Sequence, residues 1–192
     1  MWPKVLAINE AWEKSGNAMR RLLLLRHAKA ERQPGGRDHD RVLAERGLDD
    51  DKTIGTYLAR HGVVPDRALV STSARTRETW ALLSTAFSKV PPADFDDRIY
   101  EATPRMILEA IKETASRVTT LLVVGHNPGM QEVANLLVAS GDIEARERLG
   151  RAFPTSALAV ISLAIDGWEA VHAQGGRLEH FVSPKLLAGA AD

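Results

Sequence analysis

Cysteine is absent from the 192 residues. That excludes a disulfide framework and a thiolate nucleophile, and it fits a reducing compartment such as the cytoplasm. Net charge is absent as well, since 25 Lys and Arg residues balance 25 Asp and Glu residues. No excess of one sign calls for nucleic acid or an anionic membrane as a partner. Long apolar runs are missing, and none approaches the roughly 20 residues of a membrane span. Aromatic residues make up only 5% of the chain, and its four tryptophans are scattered, so they form no cofactor box. Met1 to Asn17 carries Glu10 and Glu13. It lacks an apolar core and a small-residue cleavage site, and so does not read as a secretory signal.

What remains is 44% hydrophobic and 26% charged, which suits one globular domain with a sizeable core. Its most telling stretch is Leu22-Leu23-Leu24-Leu25-Arg26-His27. A short unbroken apolar run that ends in charge predicts a strand buried on both faces. Met19 stands just before it, so residues 1–18 read as an extension and residues 19–192 as a single domain.

The order of the remaining elements follows from apolar pattern and from Gly and Pro. Gln33 to Arg41 reads as a loop, and Leu43 to Arg60 as a helix ended by Gly62. Ala68 to Val70 is a short strand, followed by Ser71-Thr72-Ser73 and a helix over Ala74 to Phe87. Phe95, Ile99 and Tyr100 suggest extended pieces, with Glu101 in a turn after them. Pro104 to Thr114 is a helix opened by proline. Thr120 to Val124 is a second buried strand, running into Gly125-His126-Asn127-Pro128, where Asn127 would cap a helix over Met130 to Ala139. Ala157 to Ala164 reads as a strand, Asp166-Gly167 as a hairpin turn and Trp168 to Ala173 as its partner. The alternation predicts a three-layer α/β/α sandwich with a mostly parallel, mixed central sheet.

Two strands thus end in a histidine, and a third leads to Ser71 and Arg75. If the three are parallel neighbours, His27, His126, Arg26 and Arg75 meet on one rim, which is the ligand-binding edge of an open α/β sheet. Guanidinium groups grip a phosphate bidentately, and an imidazole beside it can attack phosphorus. The histidines lack metal-ligand spacing, so no metal and no cofactor is expected.

These residues also resemble a known family. Arg26-His27-Ala28, Ser71 to Thr79 with Arg75 inside it, and Gly125-His126-Asn127-Pro128 are similar, in order, to three signatures of the histidine phosphatase superfamily. The short length and the wording Arg-His-Ala-Lys-Ala resemble its SixA-like phosphohistidine phosphatase branch. Phosphoglycerate mutases of the same fold carry longer insertions. The resemblance implies a phosphoglycerate mutase-like fold and metal-independent phosphoryl hydrolysis. It makes His27 the nucleophile, Arg26 and Arg75 phosphate ligands, and His126 a stabiliser of moving charge. Arg41 or Arg37 would add a further contact. Glu101 would be the proton donor, with Asp38, Asp40 and His39 as rivals. The implied substrate is phosphohistidine on a protein, with a small phosphomonoester as the alternative. A non-catalytic module that binds phosphorylated ligands is the contrasting reading.

Overall fold

The computed structural model describes residues 19–32 and 35–189. The extension at residues 1–18, and Gln33 and Pro34 of the polar loop, lie outside the described residues. Strand β1 is Met19–Arg26. All four of its leucines are fully buried, and they alternate: Leu22 and Leu24 enter one core, Leu23 and Leu25 the other. A strand buried on both faces needs apolar residues at every position, which is why the run is unbroken. Truncating one of these leucines to alanine would cost about 2–5 kcal/mol.

The other strands are β2 (Arg67–Ser71), β3 (Ala93–Asp96), β4 (Thr120–Gly125), β5 (Val138–Gly141), β6 (Leu158–Ala164) and β7 (Gly176–Val182). They form one sheet in the order β3-β2-β4-β1-β6-β7-β5. β4 pairs in parallel with β1 on one side and with β2 on the other. β6 runs antiparallel to both of its neighbours, which makes the sheet mixed. Helices α1 (Glu45–Arg60) and α2 (Ala74–Ser84) cover one face, where Ile54, Leu58, Trp80 and Leu83 pack on Leu23 and Val124. Helices α3 (Pro104–Lys112), α4 (Gly129–Leu137) and α5 (Ile143–Arg151) cover the other, with Ile107, Val133 and Leu149 in its core. A short helix α6 (Pro184–Ala188) ends the described chain. The architecture is the α/β/α sandwich expected from the alternation of elements. No helix among the described residues is long and apolar enough to cross a membrane.

Several boundaries differ from the sequence reading. Trp168 to Ala173 does not pair with β6. Residues Trp168–Ala170 form a 3₁₀ turn instead, and β7 is the strand that pairs there. The indole of Trp168 is fully buried and its Nε1 donates to the Val118 carbonyl at 2.7 Å, so burial of the ring outweighs the short hairpin. The helix expected over Met130 to Ala139 ends at Leu137, and the chain continues as β5. The charged stretch after Gly141 is the helix α5, capped by Asp142, whose Oδ1 accepts from the Ala145 amide at 2.8 Å. Only Ala145 and Leu149 of that helix are buried, too few to show a period. Helix α1 starts at Glu45 rather than Leu43. Leu43 is held in an isolated bridge with Ala30, and the Ala44 amide donates to the Lys29 carbonyl at 2.8 Å.

Candidate active site

The register of β1 on β4 sets Arg26 opposite Gly125, so the next residue of each strand is a histidine. The rings of His27 and His126 lie 5.1 Å apart, centroid to centroid. The His27 Nδ1 lies 2.7 Å from the Ala28 carbonyl oxygen. A carbonyl only accepts, so Nδ1 carries the proton and Nε2 keeps its lone pair. The backbone beside the ring is pinned too, since the Ala28 amide donates to Thr79 Oγ1 at 3.0 Å. The loop that follows folds back on itself through Gly47. A Cβ at Gly47 would stand 2.2 Å from the Lys29 carbonyl oxygen, so only glycine lets α1 approach this closely.

Three guanidinium groups surround the ring, and each is tethered to oxygen acceptors of the protein. Arg26 Nη1 donates to the Phe153 carbonyl at 2.9 Å. Arg75 is almost fully buried; its Nη1 and Nη2 donate to the carbonyl oxygen and to Oδ2 of Asp38, at 2.6 and 2.8 Å. Arg41 donates from Nε to the Glu31 carbonyl and from Nη1 to Asp38 Oδ1, both at 2.8 Å. Burial, and then the charges of Arg75, Arg26 and Arg41, pull the His27 pKa down to about 4, against the opposing bond to Ala28. Burial, His27 and Arg75 pull His126 down to about 3. Both imidazoles are therefore neutral at pH 7.

His126 Nε2 sits 2.8 Å from Ser71 Oγ, and its buried Nδ1 has no hydrogen-bond partner among the described residues. Tyr100 stands edge-on to the His126 ring at 5.3 Å and lies under the Arg75 guanidinium at 5.8 Å. Asn127 does not cap α4. Its Nδ2 donates to the Phe153 carbonyl at 3.0 Å, the same oxygen that holds Arg26, and Pro128 flanks the helix.

The structure thus brings His27, His126, Arg26, Arg41 and Arg75 to one rim. Arg37 stays outside, exposed and paired with Asp40 at 2.8 Å. Glu101 is exposed, at φ 48°, on a turn against the His126 loop. The contact is close, since a Cβ at Gly129 would lie 2.1 Å from the Ala102 carbonyl oxygen. Among the rival donors, Asp38 is held by arginines. Bonds from Arg41, Tyr100 and Arg75 outweigh its partial burial and hold its carboxyl far below the usual carboxylate range. His39 lies at the rim, with Nε2 3.0 Å from Thr72 Oγ1 and its ring 4.8 Å from that of Tyr100. The sequence reading missed the parts played by Tyr100 and Asp38. The spacing Asp38-x-x-Arg41 was the available signal, since residues three apart in a helical turn face one another. A groove of about 830 Å³ lies elsewhere, between α1 and α6, lined by Tyr57, Arg60 and Lys185 among others and by none of the rim residues.

A neutral histidine with a free Nε2, framed by three guanidinium groups at the C-terminal ends of the parallel strands β1, β4 and β2, has the chemistry of a phosphoryl-transfer centre. Residues 22–104 match the family model of the histidine phosphatase superfamily, branch 1. The uncharacterized protein Rv1276c of Mycobacterium tuberculosis is 38% identical over 142 residues, covering 73% of this chain and 87% of the relative. A protein of Nakamurella multipartitia, provisionally named phosphohistidine phosphatase SixA, is 30% identical with a TM-score of 0.76, over 86% of this chain and 96% of that one. A phosphoglycerate mutase from Plasmodium falciparum shares the fold alone, with a TM-score of 0.56 at 16% identity, over 86% of this chain and 91% of that one. The chain belongs to the histidine phosphatase superfamily. Within it the similarity is to the SixA-like branch, and the fold and family are those of a phosphatase.

Proposed function

We propose that this protein hydrolyses phosphohistidine on a protein substrate, through a phosphohistidine formed on its own His27. The observation that carries the reading is the free Nε2 of His27, fixed by the bond from Nδ1 to the Ala28 carbonyl and surrounded by Arg26, Arg41 and Arg75. Nε2 attacks phosphorus in line with the leaving group. A new N–P bond forms as the bond to the leaving imidazole breaks. The guanidinium groups hold the equatorial oxygens, where charge is spread in the transition state. His126 Nε2 bonds Ser71 Oγ; with the serine as donor, Nδ1 of His126 carries the proton and is the nitrogen left to meet a phosphate oxygen. Water then attacks the phosphorus, releasing phosphate and free His27. Positive charge comes from arginine, so no step is routed through a metal. The domain doing this spans residues 19–192, with 1–18 as an extension, in the cytoplasm.

The choice of substrate is supported by the name of the Nakamurella relative and by the short chain, which has little room for the insertions of a mutase. One observation favours a second substrate, a small phosphomonoester. Glu101 sits beside the His126 loop, where its carboxyl would protonate an alkoxide and later activate water.

The test is phosphate release from a phosphohistidine protein and from p-nitrophenyl phosphate, with wild type and His27→Ala, with and without a chelator. Fast turnover of the phosphoprotein that depends on His27 and ignores the chelator is expected. Fast turnover of the ester alone would move the assignment to small phosphomonoesters. Turnover of neither would remove the enzymatic reading and leave the binding module.

A further inference from the structure

We infer that Asp38 is a positioning residue that sets the orientation of two phosphate-binding arginines at once, and so prepares the site for the transition state rather than for bound phosphate. The inference rests on the phosphoryl-transfer reading of the site and deepens it. Asp38 uses three acceptors. Its Oδ1 takes Arg41 Nη1 at 2.8 Å. Its Oδ2 takes Arg75 Nη2 at 2.8 Å and the Tyr100 hydroxyl at 2.9 Å, and its main-chain oxygen takes Arg75 Nη1 at 2.6 Å.

The consequence lies in what these bonds leave over. A guanidinium offers five N–H donors in a rigid plane. Asp38 occupies the end-on edge of Arg75, between its two terminal nitrogens. The side edge, with Nε and the second hydrogen of Nη2, has no acceptor among the described residues. Arg41 is held at two other nitrogens, Nε by the Glu31 carbonyl and Nη1 by Asp38, which leaves Nη2 without an acceptor among the described residues. A side chain that rotates freely about several bonds presents its donors to the reacting phosphorus only part of the time. Two guanidinium groups anchored on one carboxylate present them always. Tyr100 stiffens the arrangement, since it bonds Asp38 while lying under Arg75 and against His126. Donors fixed in advance matter most where charge develops, because nothing then reorganises during the reaction.

Asp38 also carries a negative charge beside two positive ones, Arg41 and Arg75. As a simple counter-ion it would weaken anion binding, and its removal would tighten it. As a positioning residue it does the opposite, and the two roles predict changes of opposite sign.

Asp38→Asn keeps the shape and removes the charge. Vanadate, which takes up the five-coordinate geometry of the transition state, and inorganic phosphate are titrated by calorimetry, so binding is read without turnover. The expected result is vanadate binding weakened by at least about tenfold, phosphate binding changed by less than about threefold, and Tm within about 2 °C of wild type, as for a surface substitution. With p-nitrophenyl phosphate the loss falls on kcat, with KM little changed, and Asp38→Glu recovers part of it. Unchanged or tighter vanadate binding overturns the inference. So does equal weakening of vanadate and phosphate, or a clear fall in Tm that Asp38→Glu does not restore, which would make Asp38 a structural residue. Absence of turnover in wild type would defeat the phosphatase reading alone, because the vanadate comparison still judges Asp38.

Discussion

His27 and His126 face each other at 5.1 Å, tilted by 52°, one residue beyond the paired ends of β1 and β4. The parallel register alone puts them there, and one position of slip would move either side chain to the opposite face. Their roles differ by their bonds. His27 spends Nδ1 on its own backbone and keeps Nε2 open, whereas His126 spends Nε2 on Ser71. His27→Ala is therefore expected to lower kcat by at least about 10⁴-fold, as loss of a nucleophile does. Rapid quench of wild type with labelled substrate should trap an acid-labile, base-stable phospho-adduct that the variant lacks. A variant that keeps its rate would remove His27 from the mechanism.

The pH profile follows from the depressed histidines. Burial and the neighbouring guanidinium groups pull His27 down to about 4, so its lone pair is available throughout the range above that value. The acid limb of kcat/KM, which reports the free enzyme, is expected near pH 4. Correction for the ionisation of the substrate is part of the measurement. An acid limb at the ordinary histidine value near 6.5 would show that the ring is solvated and unperturbed.

Glu101 is expected to matter in proportion to the need of the leaving group for a proton. Glu101→Gln should slow an alkyl phosphate by about 10²-fold or more. It should leave p-nitrophenyl phosphate, whose leaving group departs as a stable anion, within a few-fold of wild type. Equal slowing of both substrates would mean that the carboxyl acts on binding or on the loop, not on the leaving group.

Stability carries a pH dependence of its own, away from the site. Asp51 of α1 is fully buried against α2, with no well-formed hydrogen bond to either carboxyl oxygen among the described residues, and burial, opposed by a weak backbone contact from Leu83 and aided by the charge of Asp50, pushes its pKa up to about 8. The folded protein then holds a proton that the unfolded chain releases near pH 4, so stability falls as pH rises from about 4 to about 8. Asp51→Ala removes the buried acid in favour of the best helix former. It is expected to raise Tm at pH 8.5, by about 1–3 kcal/mol of stability, and to raise it less at pH 5. A gain independent of pH, or a loss at pH 8.5, would show that the carboxyl is satisfied in the fold.

The parts of the site that were legible in the sequence are those set by neighbours along the chain. Four leucines dictate a two-face strand because no other element buries four consecutive residues so cheaply, and the polar residues that follow must then emerge at its end. Thr103 and Pro104 mark the start of α3 for the same local reason, with the Thr103 hydroxyl accepting from the Met106 amide. His27, His126, Arg26 and Arg75 could be named because each stands within a few residues of such a signal. Chain order and spacing also carry the family, whose signatures lie at those strand ends.

Tertiary structure decided what depends on contacts across the chain. The pairing of β7 with β6, in place of Trp168 to Ala173, follows from the burial of one indole against Val118, fifty residues away. The ionisation of Asp38 is set first by Arg41, its neighbour in the chain, and then by Tyr100 and Arg75, 62 and 37 positions distant. Those bonds make Asp38 a carboxylate held by arginines. The depressed histidines and the raised Asp51 have the same origin. A pKa measures the free energy of a charge in its surroundings, and those surroundings exist only once the sheet and its two helical layers have closed around it.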